Sequence, residues 1–155
     1  MLKNKQPNSD DCFICGRNNP VGLYMTFYDN GDNEVCSDYT VAEQYNSYPG
    51  IVHGGIVASM LDEVVGRVAM IGDHHHFMMT AKLEVKYRQP VPTKTPLKII
   101  GRIVRLRGRI GKAVGEVVLP DGCVAAEAEM TIVDVPPELL DGVDAAALGW
   151  RVDSD

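Results

Sequence analysis

The stretch Y-P-G-I-V-H-G-G-I-V-A-S-M-L-D-E-V-V-G-R-V-A-M-I, residues 48–71, decides the fold of this chain. It opens with a turn-forming Pro-Gly pair, and H-G-G at 53–55 leads into about 16 residues of helical composition. Apolar side chains cover most of that helix, and a helix that is apolar nearly all round is buried. The sequence therefore predicts one long buried helix that ends near Gly72.

Five residues interrupt the apolar surface of this helix. At about 100° per residue they fall within an arc of roughly 140° and form a narrow polar stripe: Ser59, Asp62, Glu63, Gly66 and Arg67. Burying a carboxylate is costly unless it is paired or used in chemistry. In one interpretation, Glu63 and Arg67 form an i,i+4 ion pair and Asp62 caps or pairs locally. In the other, the stripe belongs to a reaction site.

The start of the helix favours a reaction site. Backbone N–H groups at a helix N-terminus are free, and Gly54 and Gly55 let a ligand approach them closely. Such a position stabilises developing negative charge. Asp62, nine residues after His53, is then a candidate general base.

Length and composition exclude several classes of protein. The 155 residues fit one domain, which we place at 12–135, between a flexible N-terminus (1–11) and a peripheral C-terminal tail (136–155). A net charge of −6 disfavours nucleic acid as the main partner. With no apolar leader, no membrane-spanning run and four cysteines, we expect a cytoplasmic protein with reduced thiols and no membrane partner.

The rest of the chain has the pattern of antiparallel strands. A D-N-G-D-N turn predicts a hairpin between two strands before the helix, at 23–28 and 34–41. Four more strands follow the helix, with Pro- and Gly-containing turns between them. In the first of them, charged residues alternate with Ala81, Leu83, Val85 and Tyr87, which predicts a half-buried strand. The order β-β-α-β-β-β-β indicates an α+β architecture.

Two segments resemble the hotdog-fold acyl-CoA thioesterase superfamily, in particular its phenylacetate-degradation and 4-hydroxybenzoyl-CoA thioesterase-like branch. They are P-G-x-V-H-G-G-x-x-A-x-x-L-D-E at 49–63 and C-F-x-C-G-x-x-N-P-x-G-L at 12–23. The resemblance implies an antiparallel sheet wrapped around one long central helix, in agreement with the strand pattern. It also implies hydrolysis of an acyl-CoA thioester without a cofactor, in a homodimer or homotetramer whose protomers share active sites.

The resemblance also implies roles for individual residues. Asp62 is the general base or nucleophile, and the Gly54 amide is the oxyanion donor, with Gly55 as a second candidate. His53 orients the thioester or braces the loop, and it could equally be a structural cap. Thr80, near the start of the first strand after the helix, matches a Ser or Thr that lies near the attacking water in related enzymes.

Other positions are secondary candidates. Several relatives have an Asn six residues before the His, whereas this chain has Ser47 there, with Asn46 beside it. Glu63 competes with Asp62, because one branch carries its catalytic acid one position later. Basic side chains could bind the phosphates of CoA or simply form a solvated strand edge; these candidates are Arg88, Arg105, Arg107 and Arg109.

Neither histidines nor cysteines predict a metal site. Cys12 and Cys15 have C-x-x-C spacing, but a structural zinc site needs about four ligands, and no second pair is present. The three adjacent histidines at 74–76 point apart, so we interpret them as a solvated loop, and the cysteines as part of a packed turn.

Two functions compete with hydrolysis on this fold. One is a non-catalytic acyl-CoA or fatty-acid binding module, and the other is an acyl-thioester dehydratase or hydratase. Asp62 favours an enzyme over a binding module, and its spacing from His53 favours hydrolysis.

Overall fold

The computed structural model describes residues 4–155 of the chain. Its strands are β1 (Asn4–Lys5), β2 (Tyr28–Asp29), β3 (Glu34–Thr40), β4 (Met78–Tyr87), β5 (Pro96–Arg107), β6 (Ile110–Val118) and β7 (Val124–Asp134). Its α-helices are α1 (Gly54–Gly66) and α2 (Pro137–Leu140), and 3-10 turns cover Glu43–Tyr45 and Arg67–Met70.

One antiparallel sheet holds these strands, in the order β1-β2-β3-β5-β6-β7-β4. The helix α1 packs across one face of the sheet, mainly against β5 and β6. Its inward side buries five apolar residues: Val57, Met60, Leu61, Val64 and Val65. The predicted α+β class and hotdog layout are confirmed. The predicted element order holds, with short β1 added before it and α2 after it.

The central helix is shorter as an α-helix than the sequence predicts. It ends at Gly66, and a 3-10 turn continues it to Met70. The ladder tightens there because the Arg67 N–H bonds to both Glu63 O and Val65 O. The chain then leaves the helical conformation at Ile71, next to Gly72 with a φ of 82°.

The strand predicted at 23–28 is wrong, because most of this segment does not pair as a strand. Leu23, Met25 and Phe27 are buried, yet only Tyr28–Asp29 pairs as a strand. The N–H groups of Leu23 and Met25 donate instead to the carbonyls of residues 13 and 14. Carbonyl groups of the turn at 12–15 therefore accept the hydrogen bonds that a neighbouring strand would otherwise accept.

The strand β4 is more exposed than the prediction of a half-buried strand. It forms one edge of the sheet, and only Leu83 and Val85 of the predicted inward set are half-buried. A register shift between Thr80 and Lys82 takes Ala81 out of the ladder and exposes it. Such a bulge adds one residue to a strand and interrupts its alternation.

The chain ends pack against each other. In the described part of the N-terminal segment, Gln6 and Asn8 are buried, and Gln6 Nε2 donates to Asp29 Oδ2 at 3.0 Å. Asn8 forms a β-bridge with Arg151 of the tail. Residues 1–3 of the predicted flexible N-terminus lie outside the described residues. Between residues 4 and 155, no helix is both long enough and apolar enough to cross a bilayer.

Two facing glycines let α1 approach the sheet. Gly101 on β5 pairs with Gly115 on β6. A Cβ added at Gly101 would lie 2.6 Å from the Val64 carbonyl oxygen, and one added at Gly115 would lie 2.5 Å from Val65 Cγ2. The backbone of α1 therefore packs directly against the sheet at these two glycines, where no side chain separates them.

We expect Gly101→Ala to lower the free energy of unfolding by about 1–3 kcal/mol, because the helix or the strand must shift to admit the methyl group. Gly66→Ala is the matched control, since an added Cβ there meets no atom within 4 Å and the backbone is helical. This control should be neutral or stabilising. Urea unfolding followed by circular dichroism measures both, and equal stabilities would contradict the close contact.

Candidate active site

His53 occupies the N-cap position of α1. Its Nδ1 accepts a hydrogen bond from the Gly55 N–H at 2.9 Å. A nitrogen that accepts a hydrogen bond carries no proton, so the neutral ring has its proton on Nε2. The side chain is exposed. His53 therefore caps the helix and keeps one N–H donor for a ligand.

The Gly54 amide is the first N–H of α1, and no residue in 4–155 accepts a hydrogen bond from it. The Gly55 amide, the second oxyanion candidate, is already bonded to His53. The helix dipole adds partial positive charge at this end. Gly54 is thus the better placed of the two amides to bind a carbonyl oxygen or an anion.

Tyr87, at the end of β4, contacts the helix start, although the sequence analysis placed it only on the inward face of the strand and not in the site. Its hydroxyl donates to Gly54 O at 2.6 Å. Partial burial raises the pKa of Tyr87 above its ordinary value. The alternating pattern of β4 places Tyr87 on one face of the strand, but it carries no signal for a contact with a residue 33 positions away.

Asp62 lies beside Thr80. Thr80 Oγ1 donates to Asp62 Oδ1 at 2.6 Å. Because a threonine hydroxyl has one proton to give, this bond orients the carboxylate as an acceptor. No cation within residues 4–155 forms an ion pair with Asp62. The second carboxylate oxygen is therefore available to a reactant.

Two shallow depressions lie along α1, and together we call them the helix groove. The first, of about 350 Å³, is lined by Gln44, Tyr45, Asn46, His53, Gly55, Ile56 and Ser59. The second, of about 290 Å³, is lined by Phe13, Ile14, Ala58, Ser59, Asp62 and Leu83. Ser59 belongs to both. Positions 55, 59 and 62 have i, i+4, i+7 spacing, which aligns them on one side of the helix.

The structure distinguishes between the two candidates that precede His53. Asn46 lines the helix groove with His53, and its backbone forms a β-bridge with Val52. Ser47 donates its backbone N–H to Ile51 O in the adjacent turn and does not line the groove. Asn46, rather than Ser47, is therefore the polar side chain near the cap.

Glu63 does not line the helix groove. It accepts a hydrogen bond from Arg67 Nε at 2.9 Å, which confirms the i,i+4 pair. Arg67 is only 1% exposed, because its guanidinium stacks on Phe27 at 4.2 Å and its Nη1 donates to Pro7 O. The polar stripe thus divides, with Asp62 in the groove and the Glu63–Arg67 pair against the N-terminal segment.

Glu63 instead lies next to the C-x-x-C turn. One ligand atom each from Cys12, Cys15 and Glu63 lies within 4.8 Å of the other two. The hydrogen bond from the Cys12 thiol lowers the pKa of Cys15, and the charge of Arg67 lowers it too, whereas burial opposes both. Residues 13 and 14, between the two cysteines, line the groove near Asp62.

The four arginines proposed for CoA divide between the two ends of the sheet. Arg88 follows Tyr87 and pairs with Glu127. The other three, Arg105, Arg107 and Arg109, are exposed around the β5–β6 turn. These three have no ion-pair partner within residues 4–155.

A comparison with protein families identifies the fold's relatives. The family model for the thioesterase superfamily matches residues 49–126, about half of the chain, including α1 and β4. The chain belongs to the thioesterase superfamily.

Two relatives in the superfamily are vertebrate proteins. The chain is 26% identical to the acyl-coenzyme A thioesterase THEM4 of Rattus norvegicus over 86 residues, which are 56% of this chain and 36% of that protein. It is 27% identical to THEM4 of Bos taurus over 110 residues, 70% of this chain and 44% of that protein. The match thus spans less than half the length of either relative.

Solved superfamily structures have the same fold. One thioesterase superfamily protein superimposes with a TM-score of 0.73 at 29% identity, covering 80% of this chain and 63% of that chain. The PaaI protein from the phenylacetic acid degradation operon of E. coli gives 0.65 at 15% identity, covering 74% and 81%. A hypothetical thioesterase protein from Streptococcus pneumoniae, solved with coenzyme A, gives 0.62 at 19% identity, covering 67% and 80%.

We expect Tyr87→Phe to lower the free energy of unfolding by about 0.5–1.5 kcal/mol, because Gly54 O loses its hydroxyl donor. Tyr48→Phe is the matched control, since that side chain is 73% exposed and should tolerate the loss of its hydroxyl. Chemical denaturation of both variants measures the difference. A Tyr87→Phe protein as stable as the control would show that this bond contributes nothing to the helix start.

Proposed function

We propose that this chain is an acyl-CoA thioesterase that hydrolyses an acyl-CoA thioester to the free acid and CoA. The observation that carries the proposal is the hydrogen bond between Thr80 and Asp62 in the groove of a helix whose first amide, Gly54, has no acceptor in residues 4–155. Membership of the thioesterase superfamily and similarity to acyl-coenzyme A thioesterases support this reaction class.

Asp62 is the proposed general base or nucleophile. Thr80 occupies Oδ1, so the other oxygen is left for chemistry. As a base, Asp62 takes a proton from the water that attacks the acyl carbon. As a nucleophile, it attacks that carbon itself, and water then hydrolyses the acyl-enzyme. In both routes the C–S bond breaks and CoA leaves as a thiolate, so we propose that the reaction needs no cofactor.

Gly54 is the proposed oxyanion donor. Its N–H, together with the dipole of α1, stabilises the negative charge that develops on the carbonyl oxygen. His53 is proposed to add its Nε2–H, whose position is fixed by the bond between Nδ1 and Gly55. Asn46, in the same depression, is proposed to orient the thioester or the water.

Distances along α1 favour a site shared between two copies of the chain. Gly54 and Asp62 are eight residues apart, about 12 Å along a helix axis. A single carbonyl needs its oxygen within about 3 Å of the donor while its carbon remains accessible to the nucleophile. A second helix running antiparallel to the first would bring the partner's Asp62 opposite Gly54.

The edge strand β4 is the proposed dimer interface. It ends the sheet, runs for 10 residues, and exposes Met79 and Tyr87. A long exposed edge is a template for pairing with another strand. We propose that two β4 strands pair into a homodimer. The resemblance implies either this dimer or a homotetramer as the assembly.

Free arginines are the proposed contacts for CoA. Arg105, Arg107 and Arg109, which lack ion-pair partners among the described residues, would bind its phosphates. Arg88 would first have to leave Glu127. The net charge of −6 gives no reason to propose nucleic acid or an anionic membrane as a partner. Four free thiols suit the reducing cytoplasm, which is the proposed location.

We expect Asp62→Asn to lower kcat about 10²–10⁴-fold, because the amide cannot take a proton but keeps the shape of the side chain. Free thiol release from short, medium, long-chain and aromatic acyl-CoAs measures this and identifies the substrate class. Asp38→Asn is the matched control, since Asp38 is an exposed residue of β3 outside the helix groove. The control should keep the wild-type rate.

Three outcomes of the same assay would contradict the proposal. Binding of acyl-CoA by the wild type without thiol release would favour a binding module. Gain or loss of a C=C bond in the acyl chain without thiol release would indicate a dehydratase or hydratase. Activity that survives in Asp62→Asn but is lost in Glu63→Gln would move the catalytic role to Glu63.

Co-expression of His53→Ala and Asp62→Asn chains, each with a different affinity tag, tests whether the site is shared. If His53 works with the partner's Asp62, the mixed dimer has one intact site and one doubly altered site. Its rate should then recover to about half that of the wild-type dimer. If both residues act within one chain, every site carries one defect and the mixed dimer stays as slow as its parents.

A further inference from the structure

A compact set of metal-ligating atoms lies outside the helix groove. The sulfurs of Cys12 and Cys15 and a carboxylate oxygen of Glu63 are all within 4.8 Å of one another. Around a tetrahedral Zn²⁺, with Zn–S of about 2.3 Å and Zn–O of about 2.1 Å, neighbouring ligand atoms are about 3.6–3.8 Å apart. We propose that Cys12, Cys15 and Glu63 bind one thiophilic divalent cation, Zn²⁺ foremost, with the fourth position open to water.

The backbone of the turn brings the two sulfurs to one side. The Gly16 N–H donates to Cys12 O at 2.8 Å, which closes the turn. A Cβ at Gly16 would lie 2.3 Å from Cys12 O and 2.8 Å from Asp10 O, so only glycine fits there. The Ile14 N–H also donates to Cys12 Sγ at 3.3 Å. Hydrogen bonds of this kind to a sulfur stabilise it as a thiolate ligand.

The third ligand comes from a rigid element and is already oriented. Glu63 is held on α1, and Arg67 Nε bonds to its Oε1 at 2.9 Å. Ligating carboxylates are commonly held by such an outer hydrogen bond, which leaves the other oxygen for the metal. The turn itself is fixed by the N–H groups of Leu23 and Met25, which donate to the carbonyls of residues 13 and 14.

The charges of the group balance with a divalent ion. Two thiolates and the Glu63 carboxylate carry three negative charges, and the buried Arg67 guanidinium carries one positive charge. A doubly charged cation brings the sum to zero, which is favourable because Cys15 and Arg67 are almost completely buried. Cys12 and Glu63 are only partly buried, so an ion can enter from their side.

This site is separate from the chemistry proposed for Asp62. The sequence analysis predicted no metal because no second pair of ligands follows the C-x-x-C pair. The fold supplies Glu63, which lies far along the chain, as a third ligand. The ion would act through residues 13 and 14, which line the groove beside Asp62. Loss of the ion should therefore raise KM more than it lowers kcat. The metal content itself does not depend on whether the chain is a thioesterase.

The test is the metal content of the full chain, purified under reducing conditions, incubated with Zn²⁺ and freed of unbound ion. We expect about one Zn²⁺ per chain by elemental analysis, and a thiolate-to-metal charge-transfer band when Co²⁺ replaces it. Cys12→Ser should lose the ion, and Glu63→Gln should bind it at least about tenfold more weakly. Cys36→Ser and Cys123→Ser are matched thiol controls and should keep the ion.

The thermal unfolding temperature provides a second measurement if a variant folds poorly. Added Zn²⁺ should raise the Tm of the wild type and of both control variants, but not that of Cys12→Ser. Zinc-free wild type with no Tm response, or equal zinc content in Cys12→Ser and Cys36→Ser, would overturn the proposal. A wild type that binds no zinc and carries a Cys12–Cys15 disulfide, seen as a loss of two hydrogens by mass spectrometry, would replace it with a redox pair.

Discussion

The contact between α1 and the sheet at Gly101 and Gly115 is the constraint on which the rest of the structure depends. The backbone of Val64 and Val65 lies against Gly101, where no side chain fits. This contact fixes the height of the helix above β5 and β6. At that height, Asp62 reaches the hydroxyl of Thr80 on β4, and the first turn of the helix reaches Tyr87. A bulkier contact would lift the helix away from both partners.

Arg67 organises the other end of the helix. Its guanidinium lies over Phe27 and Trp150, and it donates to Pro7 O and to Glu63. The helix, the N-terminal segment and the C-terminal tail therefore meet at one buried cation. Such a group is costly to bury unless hydrogen bonds and aromatic faces replace its water. The arrangement explains why residues near both chain ends are held against the hotdog core.

The sequence was sufficient for the architecture, because periodicity identifies the strands and the motif indicates the fold. The motif also pointed to Asp62 and Thr80 as separate candidates, but not to the hydrogen bond between them. It was insufficient where contacts depend on three-dimensional detail. The segment 23–27 is buried without forming a ladder, since the cysteine turn takes its hydrogen bonds. The bulge after Thr80 reverses the exposure expected for Ala81. No local pattern could place Glu63 beside Cys12.

Asp62 and Glu63 are consecutive residues, yet they face different surroundings. Consecutive positions on a helix differ by about 100° in direction, and this angle is set by the backbone. Glu63 lies with the cysteine turn, that turn contributes residues 13 and 14 to the groove wall, and the wall surrounds Asp62. The cysteine turn therefore lies between the two carboxylates: it is next to Glu63 and it also forms the groove wall beside Asp62. A rotation of α1 about its axis would therefore displace Glu63 from the cysteine turn and Asp62 from the groove wall at the same time.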